Sequence, residues 1–105
     1  MANTPKALFR GSATTTTTTV LYTVPASTIT VVSNIIITNT ASSAATFTLG
    51  MGTAGSNTAL HTTTAIAANS TIYLDVKQPL VATETFTGGA SATTVKFHIA
   101  GVEIV

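Results

Sequence analysis

The chain has 105 residues, 45% of them apolar and only 7% charged, with a formal net charge of +1 and no cysteine. This length suits one domain. The missing cysteines exclude disulfides and thiolate metal sites, and four scattered cations, Lys6, Arg10, Lys77 and Lys96, exclude the basic stripe that nucleic acid requires.

Threonine makes up about a quarter of the residues. It is β-branched, favours strands and keeps a hydroxyl for solvent. Thr and Ser here take the solvating place usually held by Lys and Glu. A net charge near zero gives little colloidal repulsion, which favours association. No apolar run reaches the ~20 residues of a membrane-spanning helix, and the N-terminal MANTPKALFRG lacks the apolar core of a signal peptide.

In chain order, residues 1–13 read as an arm or short edge strand around Ala7-Leu8-Phe9, with a frayed terminus as the competing reading. Residues 14–105 read as a β-sandwich domain. Thr14–Thr19 reads as a loop. Thr19–Val24 is a strand with Val20, Tyr22 and Val24 on one face, ended by Pro25, which cannot donate to a ladder. Thr28–Thr40 is the longest strand pattern. Strict alternation places Ile29, Val31, Ile35 and Ile37 on one face, and Val32 and Ile36 on the other. Apolarity on both faces calls for a cover: the arm, a loop or a neighbouring subunit.

Ala45–Leu49 turns Phe47 and Leu49 inward. Gly50–Ala59 reads as a small-residue loop and Leu60–Ile66 as a weak strand. In Ser70–Val76, Ile72, Leu74 and Val76 face in while Tyr73, Asp75 and Lys77 face out, until Gln78-Pro79 breaks the strand. Thr83–Thr87 is short and Gly88–Ser91 reads as a turn. In Thr93–Val105 the apolar phase changes at Gly101, which predicts a β-bulge at Ala100-Gly101. About eight strands with turns every 8–12 residues or so predict a single-domain, all-β, antiparallel sandwich, jelly-roll-like or Ig-like. No 3.6-residue apolar period survives to support a helix.

Few motifs point to chemistry. Gly50-Met51-Gly52-Thr53-Ala54-Gly55 matches a dinucleotide-binding spacing, but no amphipathic helix follows to meet a pyrophosphate, so it reads as a hairpin loop. His61 and His98 with Asp75, Glu84 and Glu103 are too scattered for a metal set. No nucleophile elbow occurs. No catalytic residue, metal ligand or cofactor is expected. Sugar recognition needs aromatic platforms, and only Tyr73 is expected to point outward. Asn69-Ser70-Thr71 is a glycosylation sequon that has meaning only in a secreted eukaryotic protein.

Four stretches, TPKALFRG, LYTVPASTITVVSNIIITNTASSAATFTL, IAANSTIYLDVKQPL and VKFHIAGVEIV, resemble small virion proteins of tailed bacteriophages. The shared form is an LYTVPA strand-turn, a long Val/Ile strand ending in Asn-Thr, a YLD-type strand and a GVEI ending. The resemblance implies a β-sandwich or jelly-roll subunit, commonly trimeric, on the virion surface, synthesised in a host bacterial cytoplasm. It carries no catalytic motif. The expected function is a non-enzymatic capsid decoration protein that binds the major capsid protein as a homotrimer and stabilises the shell. The alternative is a tail-fibre or baseplate module that binds host glycan, with a pocket near Tyr73, His61 or His98. A tail or connector protein is a further alternative. Neither nucleic acid nor membrane is an expected partner. Expected contact residues are Lys6, Leu8, Phe9 and Arg10 of the arm, with Val32, Ile36 and Tyr73. For the arm, the competing reading is that Leu8 and Phe9 cover one end of their own sandwich.

Overall fold

The strands pair as a nest. In the computed structural model, which describes residues 3–53 and 55–105, β4 (Ala45–Thr53) pairs with β5 (Ser56–Ile66) and β3 (Ile29–Asn39) with β6 (Thr71–Leu80). Outside these, β2 (Val20–Thr23) pairs with β7 (Thr85–Ala90) and β1 (Asn3–Ser12) with β8 (Val95–Ile104). Folding this long hairpin on itself gives two four-stranded antiparallel sheets, ordered β1-β8-β3-β6 and β2-β7-β4-β5. That order is the jelly roll, and it decides between the two sandwiches expected from the sequence.

The core lies between the sheets. Phe47, Leu49 and Phe86 from one sheet meet Val32, Ile35, Ile37, Phe97 and Ile99 from the other, all fully buried. Deep burial of this many large side chains is the main favourable term for a chain this size. Asn39, also fully buried, closes the upper end. Its Nδ2 donates to the Ser43 and Ala67 carbonyls, and its Oδ1 accepts from the Ala41 amide and the Thr94 hydroxyl. One side chain thus ties three loops together, and the donors and acceptors it buries are satisfied.

The longest strand departs from the expected alternation. Opposite Ala100 of β8, β3 carries one extra residue at Ser33, and β1 one at Leu8. At the same level, β6 fits Val76 and Lys77 against Ser33. This row of bulges crosses the sheet and shifts the phase of β3. Thr30 and Val32 face in below the shift, and Ile35, Ile37 and Asn39 face in above it. Val32 is therefore a core residue and Val31 an outward one, the reverse of strict alternation. The bulge predicted at Ala100-Gly101 falls instead on the flanking strands, and β8 runs straight through.

Other differences have local causes. Val20 is half exposed because the β2–β7 register slips between Val20 and Tyr22. The segment expected as a Gly-rich loop is mostly strand: β4 and β5 pair out to Thr53 and Ser56. Ala54, within that motif, lies outside the described residues, as do positions 1 and 2 of the arm. β6 runs through Pro79, which an edge strand tolerates. Gly88 and Gly89 lie in β7, not in a turn. The Thr14–Thr19 run folds over them: the Ala90 amide donates to Thr14 O and the Gly88 amide to Thr19 O. A Cβ on Gly89 would stand 2.4 Å from Thr16 O, so only glycine lets the loop close.

Gly101 is just as constrained. A Cβ there would lie 2.4 Å from Val31 O and 3.0 Å from Leu8 Cδ1, beside the bulge row. At Gly11, on the edge strand of the same sheet, the nearest atom is Phe9 Cζ at 3.5 Å, an ordinary contact. We predict that Gly101→Ala destabilises the fold by about 1–3 kcal/mol in urea denaturation, whereas Gly11→Ala stays within about 0.5 kcal/mol of the parent.

Candidate functional site: the outer face of the β1-β8-β3-β6 sheet

Residues directly opposite across antiparallel strands share a face. The register therefore gives the outer face row by row. One row reads Pro5, Val102, Val31, Pro79 across all four strands. Below it Ile104 stands opposite Ile29, which is 46% exposed. Val31, Val102 and Ile104 are half-buried, and none of the three packs against the core cluster. The lower half of this face is thus a continuous apolar patch bounded by a proline on each edge strand.

Above the bulges the face changes character. Arg10, His98, Ile36 and Tyr73 form one row, and Ser12, Lys96, Thr38 and Thr71 the next. Lys96 Nζ donates to Ser12 Oγ at 2.6 Å and the Thr38 and Thr71 hydroxyls pair at 3.3 Å. Tyr73 is the most exposed large apolar side chain among the described residues, at 75%. The upper half is a polar field with one isoleucine and one projecting ring.

The expected contact residues separate accordingly. Ile36, Tyr73 and Arg10 share one outward row. Val32 and Leu8 are buried in the chain's own core, Leu8 because the bulge in β1 turns it in beside Gly101. Phe9 packs against the same core. Lys6 is exposed and reaches Glu103 Oε1 at 3.5 Å. Strict alternation missed Val31, and the bulge expected in β8 missed Val102, which alternation alone turns outward. The proline pair bracketing them was the readable signal, because proline within a strand pattern marks an edge.

Beneath Lys6, a polar cluster joins the two sheets at their lower end. The Tyr22 hydroxyl donates to Glu103 Oε2 and accepts from Thr30 Oγ1, 2.8 Å away. Glu103 carries both Lys6 and Tyr22, so it links β1, β8 and β2. Burial, then the hydrogen bond to the Glu103 carboxylate and its charge, push the Tyr22 phenol up to about 12. Thr30 opposes this weakly by stabilising the phenolate.

The histidines and clefts lie apart from this face or do not bear on it as expected. His98 is exposed. His61 Nδ1 meets Thr64 Oγ1 at 3.2 Å and its ring tilts against Phe47 at 5.5 Å. Among the described residues no three His, Asp or Glu side chains converge to hold a metal. A cleft of about 220 Å³ opens between the β5 and β6 edges over Met51, Leu60 and Leu80. Another of about 270 Å³ is lined by Thr18, Val20, Ser56, Asn57, Thr85 and Thr87. Neither is lined by Tyr73, His61 or His98, where a sugar pocket was expected.

No family model and no curated protein matches the chain. Solved structures do. A chain of the crystal structure of the T13 IBDV viral particle aligns over 97% of this chain and 30% of its own, with 10% identity and a TM-score of 0.54. Two crystal structures of a pentameric capsid protein from metagenomic phage sequences align over 90% of this chain. They have 17% and 14% identity, cover 59% and 60% of those chains, and give TM-scores of 0.45 and 0.39. The chain thus spans about a third to three fifths of the structures it resembles. What it shares with the IBDV chain is the fold.

The Tyr22 cluster gives a test of how the sheets are joined. A phenol whose pKa is raised in the folded state contributes stability that is complete below its unfolded value near 10 and is lost as pH rises toward 12. In a Tyr73→Phe variant, where Tyr22 is the one remaining phenol, ultraviolet titration gives a midpoint near 12. Denaturation midpoints fall between about pH 10 and 12, and Tyr22→Phe removes most of that dependence.

Proposed function

We propose that this chain is a virion structural protein that decorates a capsid, binding the outside of the shell as a homotrimer and stabilising it without catalysis. The observation that carries the reading is the apolar lower half of one sheet face, in a chain with only seven charged side chains. Such a patch is maintained against solvent when a partner covers it. The fold adds support: jelly rolls build viral capsid domains, though they also serve lectins and cupins. So does the likeness in fold to a chain of a viral particle.

The mechanism is mechanical. A rigid β sandwich lays its apolar face on the major capsid protein and adds contacts across neighbouring shell subunits. A closed trimer matches a local three-fold axis of the shell. Arg10, exposed in the outward row above the patch on the edge strand, meets acidic groups of the shell. A receptor-binding role in a tail would place a sugar against an exposed aromatic. Tyr73 is the one exposed aromatic platform among the described residues, and neither of the two clefts described above includes it.

Imaging of intact particles tests this directly. Decoration predicts many copies over the head, grouped in threes, and particles lacking the protein that release their contents at a lower temperature. A few copies confined to one vertex or to the tail, with unchanged particle stability, would overturn it.

A further inference from the structure

Each of the two sheets has two edges, and an edge strand presents unpaired N–H and C=O groups to any other strand. The four edges, β1, β6, β2 and β5, differ in how they treat a second copy of the same chain. β1 carries two cations, Lys6 and Arg10, and no anion, so pairing with a second copy gathers charge of one sign. β2 has four residues. β5 carries no formal charge to orient a second copy, and Thr63 in its middle has φ of 47°. β6 alone carries one charge of each sign, two residues apart on the same face.

The sequence of β6 from Tyr73 to Pro79, Tyr-Leu-Asp-Val-Lys-Gln-Pro, is complementary to itself when run antiparallel about Val76. That register places Asp75 opposite Lys77 of the second copy and Lys77 opposite its Asp75. It also places Tyr73 opposite the second copy's Pro79, at each end. All four odd-numbered side chains lie on the outer face, so opposite residues meet on one side of the extended sheet. In the single chain Asp75 and Lys77 are 3.8 Å apart with side chains 86% and 80% exposed, an ion pair of little worth to the fold. The Tyr73 ring has no such internal use at 75% exposure. Pro79 cannot donate a hydrogen bond, and in this register it falls at the end of the paired segment, where the ladder stops.

We propose that β6 pairs antiparallel with β6 of a second copy across a two-fold axis at Val76, joining two four-stranded sheets into one of eight strands. Tyr73 of each copy then packs on the partner's Pro79 and extends the apolar row Pro5, Val102, Val31, Pro79. The occupant is another copy of this chain because the charge order and the Tyr-Pro match are both self-complementary. The contact stands independently of the proposed three-fold association. Together the two would link one trimer to the next over a surface.

Charge exchange tests it. Sedimentation of the full chain at low ionic strength, over rising concentration, yields dimers, or linked trimers of growing size where trimers also form. Added salt weakens the two-fold step. Asp75→Lys sets Lys against Lys77 of the partner and raises the dissociation constant about tenfold or more. Asp75→Lys combined with Lys77→Asp restores the parent value. Both positions are exposed, and circular dichroism verifies that each variant keeps its fold. Tyr73→Ala weakens the same step without changing unfolding. Several results overturn the proposal: association with three-fold stoichiometry alone, a single exchange that leaves the two-fold step unchanged, or a double exchange that fails to restore it. A further one is an exchange that alters particle binding while free protein stays monomeric, which would assign this edge to the shell. Dimers without trimers would support the β6 contact while contradicting the three-fold association.

Discussion

The row of bulges opposite Ala100 sets what this protein shows to its surroundings. One extra residue in each of β1 and β3, and two residues of β6 fitted against one of β3, bend the sheet at a single level. A strand that keeps strict alternation cannot bury Val32 and Ile35 together, because they differ by an odd number. The bulge at Ser33 permits it, and turns Val31 and Ile36 out. A fully buried core and an apolar outer patch therefore come from the same strand. Gly101, with no room for a Cβ under Val31 O, is the local requirement for that bend.

Polar ties then hold each end of the sandwich. Asn39 gathers three loops above, and Glu103 joins Tyr22 and Lys6 below. Both are satisfied networks, so they rigidify without leaving buried groups unpaired, and no buried side-chain N or O among the described residues lacks a partner. The threonine run adds a third tie. Thr14, Thr16 and Thr19 hydrogen-bond among themselves and close over Gly88 and Gly89. A protein poor in charge thus uses hydroxyls and amides for work that other proteins give to ion pairs. Its outer surface carries few groups that would resist being covered.

Much of the fold was legible because period two is a strong signal. The inward Ile72, Leu74 and Val76, the outward Tyr73 and Asp75, the Pro25 stop and the eight-strand count are all local in origin. The sheet order was not legible, since it depends on pairings as distant as Asn3 with Ile104. The phase shift in β3 was misplaced onto β8 because glycine marks the tight spot while the extra residues sit on its neighbours. The Gly88-Gly89 pair read as a turn because its need for glycine comes from Thr16, far away in sequence. Of the candidate face, Ile36 and Tyr73 were readable and Val31 and Val102 were not. The bulge at Ser33 inverts the face of Val31, whereas β8, expected to bulge, keeps its alternation and so leaves Val102 outward.

In the proposed decoration role Val31 meets a partner, while its neighbour Val32 packs in the core. The most direct test is the amount of protein retained on particles when Val31→Lys is compared with the parent, at matched unfolding stability. Val31→Lys is expected to fold within about 0.5 kcal/mol of the parent and to be largely lost from particles. Retention at the parental level by a folded Val31→Lys would contradict that role.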